Sequence, residues 1–482
     1  MELGQRTAVD LAAAIRSKEL GSRELLDHFL DRIDRLNPAV NAVVTLDAER
    51  ARQAAAAADD AVARGNQLGP LHGLPITVKD ALETKGIRST GGATELSDHV
   101  PRADADAVAR VKAAGAVVFG KTNVPKWSGD TQTWNELFGA TRNPWELSRS
   151  PGGSSGGPSV AVACGFTSFE IGTDIGGSIR APAHFTGIVG HKPTFGIVPS
   201  RGYLDHAGGG LTEADINVVG PLARSVADLD LVLGVLAGPD RHRAPAWRLD
   251  LPRPSVQPEG LRVGAWLDDP GCAVDREVVG LLEAAAARLE AGGATIDAER
   301  RPVTFDESME LFFPLIASAV SPGLPDEVFD LARAVDGIPP TPGEDRSLTL
   351  GRGTVLRHRD WILLDERRER LRRRWAAWFE DHDVLLCPVV PAAAQPLSDK
   401  GIFERTMTVN GVERPAIDHV HWAGLIGLVY LPSTVVPVGR TASGLPVGVQ
   451  VVGPHLGDRT TLAVAAWLEG EYGYVPPPTT PS

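Results

Sequence analysis

Between Thr7 and Leu36 the apolar side chains Leu11, Ile15, Leu25, Leu26, Phe29, Ile33 and Leu36 recur at helical spacing, with a break near Gly21. That period predicts two amphipathic helices, and Ser22 is placed to cap the second. From Gly73 to Asp80 the run Leu-Pro-Ile-Thr-Val-Lys-Asp reads as a short strand, Val108 to Ala114 as a helix, and Ala116 to Phe119 as another strand. Further strands are expected from Arg262 to Leu267, Val384 to Val390 and Leu445 to Val452. The uncharged stretch from Trp422 to Gly439 approaches the length of a membrane span, but Pro432 and Pro437 interrupt it beside Ser433 and Thr434. It reads as a buried helix followed by a strand. Helices alternating with strands predict an α/β sheet protein.

The 482 residues leave room for one large α/β unit or two coupled lobes. A Gly- and Ser-rich centre spans Pro151 to Arg180, and a Pro- and Arg-rich segment from Gly238 to Gly260 marks the clearest internal boundary. The piece from Leu261 to Arg374, with another Pro-rich loop near Pro339, reads as an inserted, substrate-facing region.

Composition changes the picture mainly by exclusion. With 43% hydrophobic and 23% charged residues the chain has the make-up of a globular enzyme, not of a disordered protein. A net charge of -13 opposes broad attraction to nucleic-acid phosphates or an anionic membrane, so the expectation is a small substrate, no nucleic acid and no membrane. Cys164, Cys272 and Cys387 lie far apart, at no redox or metal-ligand spacing, and Met1 to Leu20 lacks the apolar run of a signal peptide. A reducing, cytoplasmic setting follows as the expectation.

Two motifs compete for the chemistry and fail on context. Gly115-Ala-Val-Val-Phe-Gly120-Lys121-Thr122 satisfies the phosphate-loop pattern, yet its interior is a β-branched strand and Pro125 interrupts any following helix. Gly153-Ser154-Ser155-Gly156-Gly157 matches a nucleophile elbow centred on Ser155, but Asn143 to Pro151 ahead of it is loop-like rather than a core strand. His206-Ala-Gly-Gly-Gly210 also comes after the elbow rather than before it.

Three segments read together are more specific: Gly73-Leu-Pro-Ile-Thr-Val-Lys79-Asp80, Pro151-Gly-Gly-Ser154-Ser155-Gly-Gly157 and Gly172-Thr-Asp174-Ile-Gly-Gly-Ser178-Ile-Arg180. The two key serines, Ser154 and Ser178, are 24 positions apart. Gly120-Lys-Thr-Asn123, Thr141-Arg-Asn-Pro-Trp145, Gly190-His-Lys-Pro-Thr194 and Gly444-Leu-Pro-Val-Gly-Val-Gln450 add to the set. Together they resemble the amidase signature family, from about Gly73 to Gly220 and again from near Trp422. Departures at Pro158 and at His184-Phe185 leave the local subfamily open; Pro158 is tolerated in the first turn of a helix predicted from Ser159 to Cys164.

The resemblance implies an amidase signature fold, a central twisted mixed β-sheet flanked by helices on both faces. It makes residues 1–482 a single domain: an N-terminal helical region (1–70), a signature core with the triad (71–237), the inserted region (238–380) and the C-terminal part of the sheet (381–482). It also implies Ser178 as nucleophile, Ser154 as proton bridge after a cis Gly153–Ser154 bond, and Lys79 as base. A serine is a poor nucleophile without a base, and a lysine serves as one only when neutral, a state favoured by burial near Ile76 and Val78. The amides of Ile175, Gly176, Gly177 and Ser178 are the expected oxyanion hole. The resemblance places the main chain of Ser128 at the acyl pocket, with Ser155, Asp174 and Arg180 fixing the two turns by hydrogen bonds.

Other residues carry plainer readings. His72, His99, His184, His191, His206, His419 and His421 show no paired ligand spacing, so no metal is expected, and the chemistry needs no cofactor. Trp127, Trp134, Phe138, Trp145 and Leu311-Phe312-Phe313-Pro314 read chiefly as core, with some enclosing an acyl group. The expected reaction is ping-pong hydrolysis of an amide, anilide or carbamate (urethane), with ester cleavage as a side activity. Within the family the alternative is the glutaminase subunit of a tRNA-dependent amidotransferase, against which the stretch from Ser200 to Pro221 speaks; outside it, a catalytically silent binding member of the fold. A homodimer is the base-rate expectation.

Overall fold

The computed structural model describes residues 2–254, 256–338 and 346–478, so the predicted loop near Pro339 lies outside the described residues. Two helices open the chain, α1 (Ala8–Arg16) and α2 (Ser22–Val40). The Thr7 hydroxyl caps α1 by accepting the Asp10 amide at 3.1 Å. At α2 the cap position falls to Gly21, and Ser22 is the first helical residue. The Ser22 hydroxyl instead donates to the Gly73 carbonyl at 2.6 Å, tying the helix to the loop that enters the strand at Pro75. A tertiary partner has displaced the local cap that the sequence suggested.

Two sheets follow. The smaller contains β1 (Val43–Leu46), β2 (Pro75–Lys79) and β3 (Val117–Thr122) in the order β1-β3-β2, with β2 parallel and β1 antiparallel to β3. The larger has eight strands: β4 (Glu170–Asp174), β5 (Val189–Lys192), β6 (Val218–Ala223), β7 (Arg262–Ala265), β8 (Thr295–Asp297), β9 (Val384–Pro388), β10 (Ser433–Arg440) and β11 (Pro446–Val452). Their order is β8-β7-β9-β11-β10-β5-β6-β4, parallel where β7 meets β8 and β9 and antiparallel elsewhere. Every residue of β2, β4, β5, β6, β9 and β11 is buried, which requires cover on both faces, as α/β architecture supplies. The segment 238–380 both contributes β7 and β8 to this sheet and carries long helices such as His358–Asp381.

The site is created where the small sheet meets the β4 edge of the large one. The Thr77 amide donates to the Thr167 hydroxyl at 3.0 Å, and the Ser168 hydroxyl to the Pro75 carbonyl at 3.0 Å. These bonds bring the ends of β2 and β4 together, and the chain leaving β4 turns into α4, after α3 (Gly156–Ala163) and before α5 (Phe305–Val320) and α6 (His421–Gly427) in sequence; α4 spans Arg180–Thr186. Pro158 sits in the first turn of α3, where it displaces no intrahelical bond. A Cβ at Gly157 would come within 2.3 Å of the Asn123 carbonyl oxygen, so only glycine lets α3 approach the chain leaving β3. The stretch from Trp422 to Gly439 is a buried helix and a strand, as its pattern predicts. Among the described residues no helix is long and apolar enough to cross a membrane.

Candidate active site

Lys79 ends β2. Alternation sends Ile76 and Val78 to one face and Thr77 and Lys79 to the other, and all four are fully buried. The Lys79 Nζ lies 2.8 Å from the Ser154 Oγ, 3.0 Å from the Ser155 Oγ and 2.7 Å from the Thr173 Oγ1. No carboxylate is in contact with it among the described residues. Burial pushes the Lys79 amine down to about 7, although Asp174 and Glu170 pull it upward.

Ser154 follows a cis Gly153–Ser154 peptide bond, and Ser155 takes the cap position of α3. The Ser155 amide donates to the Ser178 carbonyl at 3.1 Å, so the two serine-bearing turns are joined through main chain. Ser155, read as a turn-fixing residue, does this and also touches Lys79 directly. Thr173, inside the recognised segment but not singled out in the sequence, completes the hydroxyl cage.

Asp174 and Arg180 hold the turn that carries Ser178. One Asp174 oxygen accepts the Gly177 amide at 2.9 Å and the other the Ile179 amide at 3.0 Å, while Arg180 grips both through Nη2 (2.7 Å) and Nε (3.0 Å). Burial alone would raise the Asp174 carboxyl; the Arg180 guanidinium overcomes it and holds it at about 2. Arg180 also donates to the Ala423 carbonyl and to Gln450, anchoring the turn to α6 and β11.

This clamp revises the expected oxyanion hole. The Gly177 amide is already spent on Asp174, an Asx-type turn that the Asp-Ile-Gly-Gly spacing allows. The amides of Ile175, Gly176 and Ser178 have no other acceptor among the described residues. Gly177 itself has φ +112°, and a Cβ there would meet the Ala423 side chain at 2.8 Å.

Ser128 is buried at φ +56°, next to Trp127 at φ +51°. The Tyr203 hydroxyl faces both Ser128 and Thr173, and burial pushes it up to about 12. Tyr203 is a site residue the sequence did not reveal, because the 200–221 stretch has no motif of its own. The apolar side of the turn is walled by α5 and by the segment before α6: a Cβ on Gly176 would meet Ile316 at 3.3 Å and Val420 at 3.6 Å. Leu311, Phe312 and Phe313 are buried core residues.

The competing motifs take structural roles. Gly120 and Lys121 lie inside β3, and the Lys121 Nζ is buried against the Leu82 carbonyl and the Thr84 hydroxyl, with no helix at Thr122. Two open surface grooves, one lined by Trp145, Arg440 and Tyr472 and one by Asp27, Glu49 and Arg52, include none of Lys79, Ser154 and Ser178. Among the described residues no three His, Cys, Asp or Glu side chains are grouped to hold a metal ion, and the three cysteines are free and buried.

Comparison with known proteins adds to this geometry. The Amidase family model matches residues 24–462. The A subunit of the glutamyl-tRNA(Gln) amidotransferase of Moorella thermoacetica is 35% identical, over 98% of this chain and 98% of its own. Among solved structures, an inhibitor-bound complex from work on an s-triazine catabolic enzyme superposes with a TM-score of 0.81 at 28% identity, covering 98% of this chain and 99% of that one. A bacterial aryl acylamidase of the amidase signature family superposes with a TM-score of 0.81 at 27% identity, covering 96% of each chain.

The amidotransferase relatives overturn the expectation of a small-molecule substrate without nucleic acid. The inference from a net charge of -13 was too broad: that number sums over the whole chain and says nothing about what partner chains contribute to an assembly. By the family match across most of its length, and by relatives 35% identical end to end, the chain belongs to the amidase signature family of amide-hydrolysing enzymes.

Proposed function

We propose that the chain cleaves an amide carbon–nitrogen bond through an acyl-enzyme on Ser178. The observation that carries this reading is a fully buried lysine, its amine near neutrality at about 7, whose contacts are three hydroxyls. An ammonium can only donate to those hydroxyls, whereas a neutral amine donates two hydrogen bonds and accepts one. In the neutral state Ser154 turns its proton toward Lys79 and leaves its own oxygen open to the proton of Ser178. Ser178 Oγ then adds to the substrate carbonyl as its proton passes to Ser154 and that of Ser154 to Lys79. The amides of Ile175, Gly176 and Ser178 receive the developing oxyanion, a stabilisation of about 3 kcal/mol per donor. The proton returns by the same relay to the departing nitrogen, and water or another acceptor releases the acyl group.

Between substrates, the leading reading is the glutaminase subunit of a tRNA-dependent amidotransferase, because the amidotransferase relatives match over the full length. In that reading ammonia leaves from a carboxamide, water releases the acyl group from Ser178 as the free acid, and the ammonia goes to the acceptor in the relatives' name, glutamyl-tRNA(Gln). An anilide or carbamate is the second reading, supported by the likeness to the aryl acylamidase and by the apolar wall of Ile316 and Val420 at Gly176. The discriminating experiment offers the purified chain glutamine, a primary amide, an anilide, a carbamate and an ester, and measures ammonia, amine or alcohol released. Ammonia from glutamine, stimulated by partner subunits, supports the first; turnover of the anilide or carbamate alone supports the second. No turnover and no labelling of Ser178 by a fluorophosphonate leaves only a silent binding member.

A further inference from the structure

Glu170 opens β4 and is fully buried. One of its oxygens accepts the Thr77 hydroxyl at 2.7 Å and the Thr122 hydroxyl at 2.9 Å, and the other accepts the Ile171 amide at 3.0 Å. Thr77 lies two residues before Lys79 on the same face of β2, and Thr122 is the register partner of Lys79 on β3. The carboxyl group is therefore pinned by the two hydroxyls that flank the base, on the face from which Lys79 emerges. All its hydrogen-bond donors are neutral, and no cation forms an ion pair with it among the described residues. A buried carboxylate held this way satisfies its lone pairs but keeps its charge uncompensated at contact distance.

We propose that Glu170 is a positioning residue for the base, its carboxylate being the buried negative charge held on the same face as Lys79 while that amine takes up and gives up its proton. The inference rests on Lys79 acting as the base for Ser178. Glu170 favours the protonated form of Lys79, so it sets how far the pH must rise before Ser178 can be activated. Burial pushes Glu170 itself up to about 7, the same region to which burial brings Lys79, so both groups change charge over one pH range.

The other charged groups around the pair have fixed assignments. Asp174 also faces Lys79, but Arg180 holds it ionised, with Lys192 beside it. Lys121 faces Glu170 from the neighbouring strand and is itself opposed by Asp80. Ser154, Ser155 and Thr173 around the amine are neutral, as is Tyr203 beyond Thr173. Of the two acids that act on Lys79, Glu170 is the one able to change charge near neutral pH.

The test is the rate of Ser178 labelling by a fluorophosphonate as a function of pH, in wild type, Glu170→Gln, Glu170→Asp and Thr122→Val, with mass spectrometry to locate the adduct. Removing the carboxylate lowers the pH at which Lys79 becomes neutral. The acid limb of the Glu170→Gln profile is expected to move down by roughly 1 pH unit, so that below the wild-type midpoint the variant keeps several-fold more of its own plateau rate. Thr122→Val makes the carboxylate harder to ionise and shifts the limb the same way by less, and it carries the test if Glu170→Gln does not fold. Glu170→Asp restores much of the wild-type midpoint. A purely structural role predicts lower stability with an unmoved midpoint; that result, or a shift to higher pH, overturns the proposal. Absence of Ser178 labelling in wild type at any pH would instead overturn the reading of the site on which it rests.

Discussion

Two buried lysines on neighbouring strands, Lys79 on β2 and Lys121 on β3, meet different surroundings. Both are fully enclosed, and burial pushes both amines down, Lys79 to about 7 and Lys121 to about 8. Lys79 meets three hydroxyls that can donate back to it. Lys121 meets a main-chain carbonyl, which can only accept, and one hydroxyl, with Asp80 close enough to favour its charged form. Burial brings each lysine near neutrality, but only the first has partners through which a proton can be relayed onward. A lowered amine is thus a necessary feature of a base rather than a sufficient one.

The largest effects should follow from removing the relay. Ser178→Ala is expected to abolish turnover by a factor on the order of 10⁴ or more, and Lys79→Met to lower kcat by about 10³-fold with the fold retained, both read by steady-state kinetics and circular dichroism. Lys79→Met leaving turnover within about tenfold of wild type would break the contrast between the two lysines. Next comes pH: the proposed relay needs a neutral Lys79, so kcat/KM should climb with pH to a plateau above about 7 and fall about tenfold per unit below it. A profile flat between pH 5 and 8 would contradict that assignment.

Lys121→Met should act on stability instead. It strips partners from the Leu82 carbonyl and the Thr84 hydroxyl, costing roughly 2–4 kcal/mol in chemical denaturation, while the folded fraction keeps most of its turnover. Smallest is Ser155→Ala, which removes one of three contacts on the amine but leaves the main-chain bond to Ser178; about a tenfold loss in kcat is expected. A loss matching that of Ser178→Ala would shift the nucleophile toward Ser155.

Much of this centre was legible in the sequence because it is built from short contiguous segments. Lys79, Ser154, Ser178, Asp174 and Arg180 each lie in a recognisable Gly-rich or strand-ending run, and the structure gathers those runs at the meeting of two sheets. The periods of α1, α2, β2, β3, β7, β9 and β11 were equally readable. What escaped depends on long-range packing. Tyr203 reaches Thr173 and Ser128 from a loop without a motif, and Glu170 earns attention only once Thr77 and Thr122 are seen to close on it. The Gly177 amide looked free in one dimension because its acceptor, Asp174, lies three residues upstream on a turn whose geometry the sequence does not specify. Net charge failed as a guide to partners because it has no spatial content.

One experiment decides between the two lysines: the rate at which a fluorophosphonate labels Ser178 in wild type, Lys79→Met and Lys121→Met at a pH above the plateau, with the modified residue located by mass spectrometry. Labelling of Ser178 in wild type and in Lys121→Met at rates within about tenfold of each other, with about a 10³-fold drop in Lys79→Met, is the predicted result. Labelling that survives in Lys79→Met, that disappears in folded Lys121→Met, or that falls on Ser155 would contradict it.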